Sequence, residues 1–217
     1  MKSILKYIIL SGTRDKLYLG LFISLILTFS LSIFLGSTAL VEQQQMTTAY
    51  ISGLSRGVLV IGTILFVCLN VNKAFENKEV EFIISKAISR EQFILSYLLG
   101  FFVAMLAILI PLVAAIFFIT NADKFGLLIW SLSLLSELMI MISFSLLASL
   151  ILKSYFSSIM AALGFYIISR LMGMFVMAIN LPKDFTTEIT ASVQSFSVAL
   201  KLHSAVFPRL DLFGQSE

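Results

Sequence analysis

Glu137 and Arg170 are the residues whose chemistry is least at home in their surroundings. Each lies about ten residues in from the end of a long apolar run, which at about 1.5 Å per residue is some 15 Å deep. A lone charge at that depth costs roughly 2.5 to 3.5 kcal/mol on insertion scales, so the two are expected to form an ion pair. The runs that carry them are joined by only a few residues around Lys153 to Ser157, which makes them antiparallel neighbours. Such a pair either locks two helices together or faces a pathway, touching substrate or changing partners. Tyr166, Ser143, Ser145 and Ser169 are placed to extend it into a polar network, or to serve as helix-packing hydroxyls. Catalysis inside a membrane needs paired groups: Ser with His, two aspartates, or His and carboxylates on a metal. Cys68 and His203 are the only residues of their kinds, so no disulfide, thiolate metal site or catalytic set assembles, and the chain is not read as an enzyme.

A second constellation lies on a short charged stretch, Asn77 to Arg90. Its apolar residues Val80, Ile83, Ile84, Ala87 and Ile88 fall at i, i+3, i+4, i+7 and i+8, one stripe of a helix. Lys78, Glu79, Glu81, Ser85 and Lys86 occupy the rest of the circumference, with Phe82 in the middle of that charged arc. The spacing predicts a helix over 78–90 lying flat on a membrane surface. An aromatic ring and charges pointing into water suit a soluble partner that pushes on it. The bland alternative is a helix bound only to lipid headgroups.

The elements that must position these residues follow from composition. Of 217 residues, 59% are hydrophobic and 12% charged, whereas a soluble domain runs near 25% charged. A soluble fold is excluded. Five runs are candidates for crossing a hydrocarbon core of about 30 Å, near 17–39, 53–74, 94–119, 127–152 and 158–178. The core of the second is Gly57 to Val71, which reaches spanning length only by including Ile51 to Arg56 or Asn72 to Phe75. The fold class is thus all-α, a polytopic membrane helical bundle with a transmembrane domain over 1–180. Met1, Ile4, Leu5 and Ile8 share a helical face, predicting an interfacial helix over 1–12. The run that follows exceeds a signal-peptide h-region and is read as a retained anchor.

Lys and Arg in the short connections set the orientation. Lys2, Lys6, Arg14, Lys16, Lys73, Lys78, Lys86, Arg90 and Lys153 fall on one side, and Arg56 and Lys124 on the other. The N-terminus and the 78–90 helix are therefore expected in the cytoplasm. Residues 42–50 read as a polar outer loop. Pro111 in the third run removes one backbone hydrogen bond and marks a candidate hinge or a static kink. After Pro182 the composition shifts toward Ser and Thr, and Ile189, Val193, Phe196 and Leu200 predict an outer amphipathic helix. The segment 181–217 ends in a turn, Phe207 to Phe213, that reads as the approach to a missing sixth span. The net charge of +3 is dispersed beside the runs, and no nucleic acid is expected as a partner.

The run from Glu76 to Gly100, ENKEVEFIISKAISREQFILSYLLG, resembles the cytoplasmic connection between the second and third spans of ABC-2-type export permeases. The likeness is greatest to the subgroup similar to the permease of the nitrous-oxide-reductase maturation system. Glu76, Ile88, Ser89, Arg90, Phe93 and Gly100 match the family pattern in order. Ala87 stands where the family usually has proline and Tyr97 where it often has a basic residue, which extends the helix further than usual. The resemblance implies six spans, of which five are present here, and a permease paired with itself or with a different subunit in the inner (plasma) membrane. It also implies a coupling helix docked in a groove of a separate ATP-binding subunit through Glu76, Glu79, Glu81, Phe82, Lys86 and Arg90. No Walker loop, GxxxxGK[ST], occurs here, so ATP and Mg are expected on that partner and no cofactor on this chain. A rival reading is a non-transporting accessory or immunity-type integral membrane protein.

Overall fold

A backbone surrounded by apolar side chains satisfies its own amides as helix, and the described residues follow that rule. The computed structural model describes residues 16–38, 43–78, 90–120, 123–152 and 154–179, with only the backbone of Arg90 and of 173–179. Over these residues the elements are α1 (Lys16–Ser37), α2 (Gln43–Glu76), α3 (Arg90–Thr120), α4 (Lys124–Ile151) and α5 (Tyr155–Ile179). All five are long and apolar enough to cross a membrane. Large apolar side chains such as Phe22, Leu27, Phe34, Ile110, Phe118 and Leu132 stand exposed on the outside, as lipid-facing surfaces do. The expected interfacial helix (1–12), residues 79–89 of the expected coupling helix and the segment 181–217 lie outside the described residues.

The helices alternate in direction, and α2 is their hub. It packs against α1, α3, α4 and α5, and α4 in turn packs against α3 and α5. In lipid no hydrophobic force drives helices together, so close approach through small residues matters most. On α1 the buried face is Leu21, Leu25, Thr28, Ser32 and Gly36, at helical spacing. Leu21 lies over Gly62 of α2, and Thr47 of α2 lies against Gly36; a methyl group at either glycine would overlap those neighbours. Thr28 and Ser32 donate back to the carbonyls of Ser24 and Thr28, at 2.7 and 2.8 Å, so they cross the interface with no unsatisfied hydroxyl.

An aromatic column ties the Glu76 end of the bundle together. Phe93, Tyr97 and Phe101 on α3 stack in sequence, with ring centroids 4.6 and 5.9 Å apart. Phe101 meets Phe66 of α2 at 5.7 Å, and Phe66 meets Tyr18 of α1 at 6.0 Å. The Tyr18 hydroxyl donates to the carbonyl of Ala104, 3.3 Å away. Three helices are thereby joined by edge-on contacts of the kind aromatic rings prefer.

Two expectations change. The polar loop expected over 42–50 is helical from Gln43 onward, because Thr47 and Thr48 return their hydroxyls to the carbonyls of Gln43 and Gln44 and Thr47 packs on α1. As a result Arg56, placed by its sequence in an outer loop, lies well inside a 34-residue helix. At the other end α2 stops at Glu76, and Lys78 adopts φ 56° with its amide on the carbonyl of Phe75, 3.1 Å away. That is a turn, so Lys78 does not open a helix, and Arg90 is the first residue of α3. Pro111 lies inside α3, which continues on both sides of it. It borders an apolar recess of about 240 Å³ shared with Phe22, Ile26 and Ile108.

Local signals explain the remaining ends. Asp123 caps α4 by accepting from the amide of Gly126 at 3.2 Å. Between α4 and α5 the hydroxyl of Ser158 reaches the carbonyls of Leu152 and Ser154 at 3.1 and 3.0 Å, closing a tight antiparallel hairpin.

Candidate functional site

The α4–α5 hairpin brings Glu137 and Arg170 together at mid-helix depth, and α2 adds a third charge. Arg170 Nη1 lies 3.7 Å from Glu137 Oε1, and Arg56 Nη1 lies 3.7 Å from Glu137 Oε2. Each carboxylate oxygen therefore faces a different guanidinium. Glu137 is fully buried and Arg56 is 1% exposed, whereas Arg170 is 33% exposed. The carboxylate links three helices.

Arg56 is fitted closely to one face of α4. Its Nη2 donates to Ser133 Oγ at 2.7 Å, and its guanidinium carbon stands 5.8 Å from the centre of the Trp130 ring. Trp130, Ser133 and Glu137 fall at i, i+3 and i+7, so a single stripe of α4 supplies an aromatic face, a hydroxyl and a carboxylate to one cation. Ser133 passes its own proton to the carbonyl of Trp130 at 2.9 Å. Delocalised charge, planar shape and forked donors make arginine suited to such a mixed environment.

Other groups nearby are donors. Among the described residues, the indole Nε1 of Trp130 and the hydroxyls of Ser145 and of Ser169, next to Arg170, are buried without a hydrogen-bond partner. That sets Ser169 apart from the serines that return their protons to their own helix, Ser143 among them, which bonds to Met139 O at 2.8 Å and is exposed. Tyr166 is half-buried one turn from Arg170. Ser145 is buried two turns further along α4, where Cys68 Sγ approaches its carbonyl at 3.9 Å. The expected network thus narrows to the neighbourhood of Arg170 and gains Arg56, Ser133 and Trp130.

Elsewhere in the bundle, α3, α4 and α5 line an open cleft of about 470 Å³ formed by Leu98, Ile140, Phe144, Leu147 and Phe165, among others. Ile140 lies one turn along α4 from Glu137. Phe144 and Phe165 stack face to face in its wall, 3.9 Å between centroids and 9° between planes.

At the Glu76 end, the Tyr155 hydroxyl lies near the carboxylate of Glu76, bringing the end of α2 close to the start of α5. Of the other residues expected to meet an ATP-binding partner, Glu79, Glu81, Phe82 and Lys86 lie outside the described residues, and Arg90 opens α3. Among the described residues no three His, Cys, Asp or Glu side chains gather closely enough to hold a metal ion. No protein-family model, curated protein or solved structure matches this chain.

Arg56 was the residue sequence reasoning missed. Its signal was the shortness of the second apolar run, which needed Ile51 to Arg56 to reach spanning length.

Proposed function

We propose that this chain is the membrane-spanning permease subunit of an ABC-2-type exporter, moving a substrate across the plasma membrane with energy from a separate ATP-binding subunit. The observation that carries the reading is the run from Glu76 to Gly100. It resembles the family's connection between the second and third spans, and here it joins the ends of two apolar helices, α2 and α3. The aromatic column supports it mechanically. A push on the connection reaches α3 at Arg90, and Phe93, Tyr97 and Phe101 then carry it to Phe66 and Tyr18. Close-packed rings pass on displacement with little loss, because packed interiors compress poorly. In this reading the helix around Phe82 docks in a groove of the ATP-binding subunit through Glu79, Glu81, Phe82 and Lys86. Closure of two such subunits tilts two permease chains against each other.

Replacing Phe82 with Asp is expected to abolish co-purification of the ATP-binding subunit while the chain still inserts into the membrane. Undiminished co-purification would overturn the assignment.

A further inference from the structure

We infer that the end of the bundle opposite Glu76 holds a site for a primary ammonium group, supplied by a lipid headgroup or by a free amine. This goes beyond the exporter reading and does not rest on it. The end of α1, the start of α2 and the end of α3 meet there around an open pocket of about 520 Å³, lined by Ile33, Ser37, Gln43, Gln44, Thr47 and Thr120, among others. None of the lining residues carries a charge, so the preference of the pocket is set by the hydrogen-bonding capacity its groups have left. Three of them are hydroxyls, and each has given its proton to a carbonyl of its own helix: Ser37 to Phe34 and Thr47 to Gln43, both at 2.7 Å, and Thr120 to Ile116 at 2.8 Å. A hydroxyl that has donated offers only lone pairs. The amide nitrogen of Gln43 is likewise engaged, on the carbonyl of Ser37 at 2.8 Å. Acceptors are therefore in excess.

The backbone adds to the same sign. The last carbonyls of a helix have no partner within it, and a carboxyl-terminal end carries about half a negative charge. Two such ends, of α1 and α3, meet one amino-terminal end, of α2. A primary ammonium answers this with three donors, a positive charge and no acceptor, whereas a quaternary one brings the charge alone. The level suits a headgroup as well as a solute. Twenty-two residues of α1, at about 1.5 Å each, span about 33 Å, so its last turn emerges from a hydrocarbon core of about 30 Å.

Gln44 is exposed and lines the pocket, so Gln44→Cys in a Cys68→Ser background reports occupancy through its rate of reaction with neutral methyl methanethiosulfonate. The full chain, in phosphatidylcholine nanodiscs, is titrated with ethylammonium, tetramethylammonium or potassium chloride at constant ionic strength. Ethylammonium is expected to slow the reaction along a saturable curve, at least fivefold at saturation, and the other two cations to leave it within twofold. Thr120→Val, which keeps the shape and removes the oxygen, is expected to raise the half-saturating concentration at least threefold. Replacing half of the phosphatidylcholine by phosphatidylethanolamine separates the two sources. A reaction already slowed before any amine is added names the headgroup, and a rate unaltered by the lipid names the free amine. No slowing by ethylammonium, equal slowing by ethylammonium and tetramethylammonium, or a half-saturating concentration unchanged in Thr120→Val would each overturn the site. Should Thr120→Val not fold, Ser37→Ala, at an exposed position, takes its place with the same expectation. No ATP-binding subunit is involved, so failure here is separable from failure of the exporter reading.

Discussion

Glu137 holds the charged centre together because each of its oxygens answers a different helix. Replacing it with Gln removes the carboxylate that the two guanidiniums share. Removing one partner of a buried pair costs about 3–5 kcal/mol, so Glu137→Gln is expected to lower the thermal midpoint in detergent sharply. Arg56→Gln should cost less, because the carboxylate keeps Arg170, and Arg170→Gln least, because that side chain is one-third exposed. An Arg170 variant as unstable as the Glu137 variant would contradict this order. Glu137 and Arg170 were legible in the sequence because a charge inside a long apolar run has no other explanation. Arg56 was not: it stands among Ser52, Ser55 and Gly57, and a cation near small polar residues reads as a loop until the helix around it is known.

Among the elements, α1 depends most on a single seam. Its outward face meets lipid, and its hold on α2 runs through two glycines that admit Leu21 and Thr47. Gly62→Leu should force those helices apart at a cost of about 1–3 kcal/mol, the usual range for overpacking. Gly20→Ala, where nothing lies within 4 Å of the added carbon, should be neutral or slightly stabilising. Melting of the two variants side by side checks the seam; equal losses would refute it. The apolar runs showed where α1, α3, α4 and α5 lie to within a few residues. The start of α2 was hidden because Gln43 to Thr48 is polar, and only packing on α1 with hydroxyls returned to the helix makes it helical.

Across the whole molecule, the relocation of Arg56 sharpens the charge asymmetry of the connections. With that residue inside α2, Lys124 is the one cation left in the short connections expected to face outward, against nine on the other side. The positive-inside rule then predicts that Lys153 and Ser154 face the cytoplasm. In a Cys68→Ser background, Lys124→Cys should react in intact cells with a membrane-impermeant maleimide, and Ser154→Cys only after the cells are opened. The reverse pattern would invert the topology. This orientation is read from the charge pattern of the connections, and the coupling contact from the resemblance of the Glu76 to Gly100 run.

The reach of Arg56 across to α4 also bears on how the chain is made. During synthesis α2 leaves the ribosome with a guanidinium at its centre while residue 137 is still untranslated. The segment must wait, held in the insertion machinery or tilted so that Arg56 touches headgroups, until α4 arrives and completes it. Assembly order is thus written into the distance along the chain between a cation and its counter-ion, and α2 settles into lipid only as part of a group.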